Sequence, residues 1–241
     1  MSRAHYDDIA VWYDNYLKEN PIYQEMVLPM LLELAGNVQG QSICDLACGQ
    51  GWLTREFARC GAHMTGIDLS EGLLSLARRY EMQEKLGILY QQGDVQAIDL
   101  QIPARHFDGC MCILALMDIA DPSAVFTNIR RLLKTGGWLV LAITHPCFEA
   151  PGAQWITFDG GTPARAVSNY TEERFWKSEK GGVRSRVGAY HRMLSTYINS
   201  LIASDFMLDQ IREPAASGRR ATEVVGSQHI PSLLFLRAHL K

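Results

Sequence analysis

From about residue 40 onward, short apolar runs alternate with segments of helical period, and this alternation constrains the fold more than any other feature. Ser42-Ile43-Cys44-Asp45-Leu46 is an apolar run that ends in Ala47-Cys48-Gly49-Gln50-Gly51. Leu53, Phe57 and Cys60 then fall on one helical face, and Gly61 closes that helix. Ala62 to Ile67 reads as a second strand stopping at Asp68, with Ser70 as the N-cap of the next helix. Ile88 to Gln91 and Phe107 to Leu116 read as strands three and four. Asp121-Pro122 supplies an N-cap with proline at the first helical position, and Gly136-Gly137 closes that helix before a fifth strand, Trp138 to Thr144.

Strands alternating with helices at this spacing require βαβ units, hence a parallel sheet covered on both faces. Continuous apolar strands fit that burial. Residues 146–188 break the rhythm with Gly, Pro, Trp, Tyr and Arg in no sustained period, and are too long for a connecting loop. A helix is expected to resume near Tyr190, followed by two late strands at Phe206–Ile211 and Leu233–Leu236 with no strong helix between them. Their closeness suggests an antiparallel hairpin at the sheet edge. The expected architecture is therefore α/β: a doubly wound, mostly parallel seven-stranded sheet with helices on both faces and an antiparallel C-terminal hairpin. It forms a single domain over 1–241, with an N-terminal helical cap at 1–38 and an insertion at 146–188 that acts as a lid or acceptor-binding region.

Charge and cysteine content narrow the partners. With 23 basic and 26 acidic residues the net charge is −3, a poor basis for a nucleic-acid partner. The longest apolar run, Cys110 to Met117, is far short of the roughly 20 residues a spanning helix needs, so no membrane role is expected. Six scattered cysteines without a Cys-x-x-Cys pair, and no secretory leader, point to reduced thiols, a cytoplasmic location and no metal site. The oligomeric state stays open.

Open α/β sheets bind ligands at the carboxyl ends of their strands. Four such ends align here: Asp45-x-x-x-Gly49-x-Gly51, Asp68, Gly93-Asp94 and the segment after Asp108. Gly49 and Gly51 let backbone pass close to a ligand. Asp68, 17 residues beyond Gly51, can accept both hydroxyls of a ribose. The series resembles the class I S-adenosylmethionine-dependent methyltransferases, and it does so over about residues 40–145. Asp45 to Gly51 matches the family's first motif, around the methionine part of the cofactor, and Asp68 matches its ribose acid. Asp94 with Val95 matches the adenine contact, and Leu132 to Gly137 the turn before strand five. The resemblance implies a Rossmann-like methyltransferase fold and S-adenosyl-L-methionine as cofactor, released as S-adenosyl-L-homocysteine. It also implies cofactor contacts at Tyr13, Asp45, Ala47, Cys48, Gly49, Gly51, Asp68, Leu69, Asp94, Val95 and Leu114. Ala47 stands where glycine is common, which is tolerable at negative φ.

Such a fold mainly has to hold an acceptor in line with an activated methyl group, and a general base completes the chemistry. His145, after strand five, is the first candidate for base or acceptor-orienting group; fixing the turn into Pro146 is the competing account. His191 and Asp118 are further candidates, against packing and turn roles respectively. The aromatic set Trp155, Phe158, Tyr170, Phe175 and Trp176 either lines an apolar acceptor pocket or packs the insertion. Pro146-Cys147 superficially resembles a cytosine-C5 methyltransferase nucleophile, but the charge balance opposes a flipped-base substrate. The rivals to a small-molecule O- or N-methyltransferase are an NAD-dependent oxidoreductase and an inactive cofactor-binding adaptor. The loop Gly-x-Gly-x-x-Thr opposes the first, and the intact motif and ribose acid oppose the second.

Overall fold

The structure, a computed structural model, describes residues 5–97 and 102–241. The N-terminal segment holds helices α1 (Ala10–Glu19) and α2 (Leu28–Ala35), the latter entered through one π-turn over Tyr23–Val27. The βαβ rhythm follows as β1 (Ser42–Leu46), α3 (Trp52–Arg59), β2 (His63–Asp68), α4 (Glu71–Gln83) and β3 (Leu89–Gln92). Next come β4 (Phe107–Ile113), α5 (Pro122–Leu132) and β5 (Leu133–Thr144). The remainder is β6 (Gln154–Thr157), β7 (Pro163–Ala166), β8 (Arg174–Trp176), α6 (Val183–Arg186), β9 (Ala189–His191), α7 (Leu194–Ala203), β10 (Phe206–Arg212), α8 (Gly218–Glu223) and β11 (Leu233–Leu240).

Seven strands form one sheet in the order β10-β11-β5-β4-β1-β2-β3. The β1, β2, β3, β4 and β5 pairings are parallel, and β11 runs antiparallel to both neighbours. Alternation along each strand sends side chains to two cores. Ile43, Met111, Val140 and Phe235 pack with α2 and α3 on one face. Cys44, Cys110, Leu141 and Leu236 pack with α5 and α7 on the other. The caps read from the sequence are made: Ser70 Oγ accepts from the Leu73 amide, and Asp121 accepts from the Ser123 and Ala124 amides ahead of Pro122. Among the described residues no helix is long and apolar enough to cross a membrane. Every cysteine is free; Cys44, Cys110 and Cys112 are buried, while Cys60, read on one helical face with Leu53 and Phe57, is exposed.

Several boundaries differ from expectation. Strand four stops at Ile113, because Leu114 takes φ +55° and turns the chain into a 3₁₀ turn over Leu116–Asp118. Strand five begins at Leu133, which pairs with Phe107 before the register shifts and Gly136 turns at φ +72°. The two late strands are an antiparallel pair, but only β10 is at the edge; β11 lies between β10 and β5. The stretch after β5 contains two small antiparallel sheets, β6–β7 and β8–β9, which their aperiodic sequence concealed. Tyr190 and His191 lie on β9, and the helix starts only at Leu194.

Candidate functional site

The carboxyl ends of β1, β2, β3 and β4 meet in a cleft. Ala47, Gly49 and Gly51, all at positive φ, turn the chain from β1 into α3. Ala47 at φ +58° lies in the left-handed region, contrary to the condition under which alanine was tolerable there. Gly51 is required for a reason unrelated to a ligand: a Cβ there would stand 2.3 Å from the Tyr90 hydroxyl. At Gly49 a Cβ would reach only Leu73 and Tyr13 at 4.0 Å, so that backbone does border the open cleft.

Asp68 ends β2 and braces this turn. Its Oδ2 accepts from the Gly49 amide at 2.7 Å and its Oδ1 from the Ser70 amide at 2.8 Å. Burial pushes its pKa up, and the backbone donors oppose that. Asp45 is buried beneath the turn and accepts from the Thr54 hydroxyl at 2.6 Å. Burial pushes its carboxyl up to about 7.

A cavity of about 120 Å³ runs along this edge, bordered by Asp68, Leu69, Asp94, Val95 and the 3₁₀ turn with Asp118. The Asp94 carboxylate accepts from the Gln96 amide, and the Val95 carbonyl accepts from the buried Asn128 side chain. A smaller cavity of about 50 Å³ adjoins it beside Asp45, Cys48 and Gln50. Tyr13 and Leu114 form walls common to both and to a third chamber of about 320 Å³. Tyr13, expected over the cofactor, thus stands where the three spaces meet, its ring edge-on to Tyr6 at 5.1 Å. All eleven expected cofactor contacts except Gly51 border these spaces.

The three candidate catalytic residues lie in different settings. His145 is 1% exposed and both ring nitrogens are engaged. Nδ1 accepts from the Cys147 amide at 3.2 Å, so Nε2 carries the proton and donates to Glu213 at 2.7 Å. Phe148 covers the ring at 4.5 Å, and the residue borders none of the cavities described here. Its geometry is that of a turn-fixing residue. His191 donates from Nε2 to the Tyr170 carbonyl at 2.8 Å and lines a side cavity of about 80 Å³. Asp118 accepts from the Tyr6 hydroxyl at 2.8 Å and forms an ion pair with Arg184. It therefore ties the N-terminal segment to the stretch after β5.

Of the five insertion aromatics, only Trp176 lines the large chamber. Phe158 is exposed, Phe175 packs edge-on to Tyr190, and Trp155 covers Gly226 and Arg165. Tyr170 bonds the Leu194 amide and accepts from the Cys147 thiol.

Three residues of weight were missed. Glu149 lines both the large chamber and the side cavity, paired with Arg165 at 2.9 Å. Arg192 is buried and donates to the Leu116, Ile119 and Ala120 carbonyls, clamping the 3₁₀ turn. Arg184 lies in an aperiodic stretch after Gly181-Gly182, where the sequence carries no signal for its partner 66 residues away.

The match to known proteins agrees with this geometry. A methyltransferase domain model matches residues 44–141, the segment from β1 to β5. A ubiquinone biosynthesis O-methyltransferase of Coxiella burnetii is 29% identical over 192 residues, covering 75% of this chain and 80% of that protein. An uncharacterized protein of Haemophilus influenzae is 28% identical over 235 residues, 92% of this chain and 91% of the other. The crystal structure of an S-adenosylmethionine-dependent methyltransferase from Mesorhizobium loti superposes with TM-score 0.77 at 29% identity, covering 88% of this chain and 96% of that one. Fold, cleft and relatives together define a Rossmann-like transferase of one-carbon groups. These likenesses support a class I S-adenosylmethionine-dependent methyltransferase.

Proposed function

We propose that the protein transfers the methyl group of S-adenosyl-L-methionine to an oxygen or nitrogen of a small-molecule acceptor. The observation that carries this reading is the junction at Tyr13 and Leu114. There the cleft bordered by Asp45, Asp68 and Asp94 opens into a separate chamber large enough for an aromatic ring. The donor set fits the cofactor: carboxylates at the ribose and adenine ends, and a buried carboxylate with open backbone at the methionine end. Asp68 holds the ribose hydroxyls, Asp94 and Val95 the adenine edge, and Asp45 with the turn at Ala47 to Gly49 the amino-acid arm. When bound, S-adenosylmethionine supplies a methyl group already activated by its sulfonium.

The chain's own contribution is then positional. Tyr13 and Leu114 fix where the two spaces meet, and correct alignment there can supply roughly 7–11 kcal/mol of the barrier. Tyr6 and Trp176 help exclude water from the chamber. The N-terminal helices α1 and α2 and the insertion 146–188 act as the two covers. The proton acceptor we assign is Glu149 in place of His145. Burial pushes its pKa up, which suits a base, while Arg165, Arg220 and Lys180 hold that rise in check. The name of the Coxiella relative favours oxygen as the acceptor atom.

Calorimetry with S-adenosylmethionine, S-adenosylhomocysteine and NAD tests the cofactor, and a mass-spectrometric screen for a 14 Da gain (the mass of one CH₂, roughly) tests the transfer. Micromolar binding of both sulfur compounds and none of NAD is expected. Binding of NAD alone would overturn the reading.

A further inference from the structure

The charges around the large chamber define its acceptor further, a step that rests on the function proposed above. Three charged side chains line it, the anion Glu149 and the cations Arg184 and Arg220. Two are already matched. Arg184 pairs with Asp118 and also donates to the Gly188 carbonyl, and Glu149 pairs with Arg165. Arg220 is not. Its Nη2 reaches only the Ser232 hydroxyl, at 3.4 Å, and its Nε is buried without a hydrogen-bond partner. Among the described residues no carboxylate oxygen lies within 4.0 Å of it. The neighbouring Arg219, by contrast, is exposed and paired with Glu223 one turn along α8. Positive charge gathers about Glu149, since Arg165, Arg220 and Lys180 all act on it. On a chain of net charge −3, this is a local reversal of sign.

A guanidinium with N–H groups left over at the wall of a chamber is matched by a planar anion, because its fork fits the two oxygens of a carboxylate. Five aromatic side chains share the wall, Tyr6, Tyr13, Tyr16, Tyr23 and Trp176, alongside aliphatic and polar residues such as Ile22, Leu233, Asn20 and Thr144. Such walls favour a flat ring over a flexible chain. We propose that Arg220 anchors the carboxylate of an aryl acid, whose ring lies among these aromatics with its methyl-accepting atom toward Tyr13 and Leu114. The cavity then sorts acceptors by charge at one end and by the reacting atom at the other.

The test uses the full chain saturated with S-adenosylhomocysteine, titrated calorimetrically with 4-hydroxyphenylacetate and with its neutral amide. The same pair is run on R220Q and on R220K. The wild type is expected to bind the acid about tenfold or more tightly than the amide, the range a charge-assisted hydrogen bond supplies. R220Q should bring the acid down to the amide's affinity while leaving the amide and S-adenosylhomocysteine unchanged, and R220K should keep part of the preference. Equal affinity for acid and amide in the wild type, no binding of either, or a preference that persists in R220Q would each overturn the anchor. If the wild type failed to bind S-adenosylhomocysteine, the methyltransferase reading would fall and the anchor with it. Intact cofactor-product binding without acid preference defeats the anchor alone.

Discussion

Asp45 carries the clearest titration in the molecule. An aspartate in an unfolded chain titrates near 3.9, whereas burial holds this one near 7. Between those values the folded protein keeps a proton that the unfolded chain has released, so stability falls as pH rises from about 4 to about 7 and levels off above. A carboxylate at the amino-acid arm must be ionised to meet an ammonium group. Affinity for S-adenosylhomocysteine should therefore fall as pH drops below 7, by up to roughly tenfold per unit. Calorimetry between pH 8 and 5.5 checks this, and Asp45→Asn should flatten both profiles. Ala47 offers a second residue-scale prediction. The left-handed conformation costs a non-glycine residue about 1–2 kcal/mol, and glycine's extra chain entropy returns roughly 0.5–1 of that. Ala47→Gly should therefore raise the midpoint of thermal unfolding by a few degrees (about 2–4 °C per kcal/mol at this size). An unchanged or lower midpoint would show that Ala47 makes contacts that offset its strain. Asp68 was legible because a carboxylate at the carboxyl end of a buried parallel strand is costly to place there unless something polar meets it, whereas Asp94 follows the half-exposed edge strand β3 and was legible only from its place in the series of strand ends. His145 stayed open between base and turn because the same strand-end position serves both, and its two ring hydrogen bonds add weight to the turn account.

At the scale of elements, His145 joins the end of β5 to the connection between β10 and β11. Its amide donates to the Ser232 carbonyl at 2.9 Å and its ring donates to Glu213. His145→Ala should cost about 1–3 kcal/mol of stability, because the Cys147 amide and Glu213 lose their ring partner. Cofactor affinity and turnover should fall together, as thermal melting and kinetics would show. A turnover loss with unchanged melting would restore a chemical role. The 178–182 loop, ahead of Arg184, supplies another test. Lys180 lies in that loop, and trypsin cleavage after it should slow on adding S-adenosylhomocysteine, because Arg184 holds Asp118 at the cleft wall. If cleavage needs local opening that the ligand prevents, the rate drops roughly elevenfold at ten times Kd. A rate insensitive to ligand would separate the loop from the site. The sheets β6–β7 and β8–β9 escaped sequence reading because strands of three or four residues are too short for a period to register. They are held instead by contacts such as Arg165 with Phe148 and Glu149.

At the scale of the whole molecule, the parallel core was legible from period alone, since strands buried on both faces must be continuously apolar. The exception is the position of β11. An antiparallel strand inserted between β5 and β10 obeys the same apolar rule as a parallel one, and order within a sheet leaves no mark on composition. The acceptor chamber was illegible for a related reason. Its walls come from Tyr6 near one end of the chain to Leu233 near the other, and no local window contains them.

Asp118 ties the walls of this arrangement together. One carboxylate accepts from Tyr6 of the N-terminal segment and from Arg184 of the stretch after β5, so displacing either wall costs a contact on which the other also rests. The two sides of the cleft hang from one common knot.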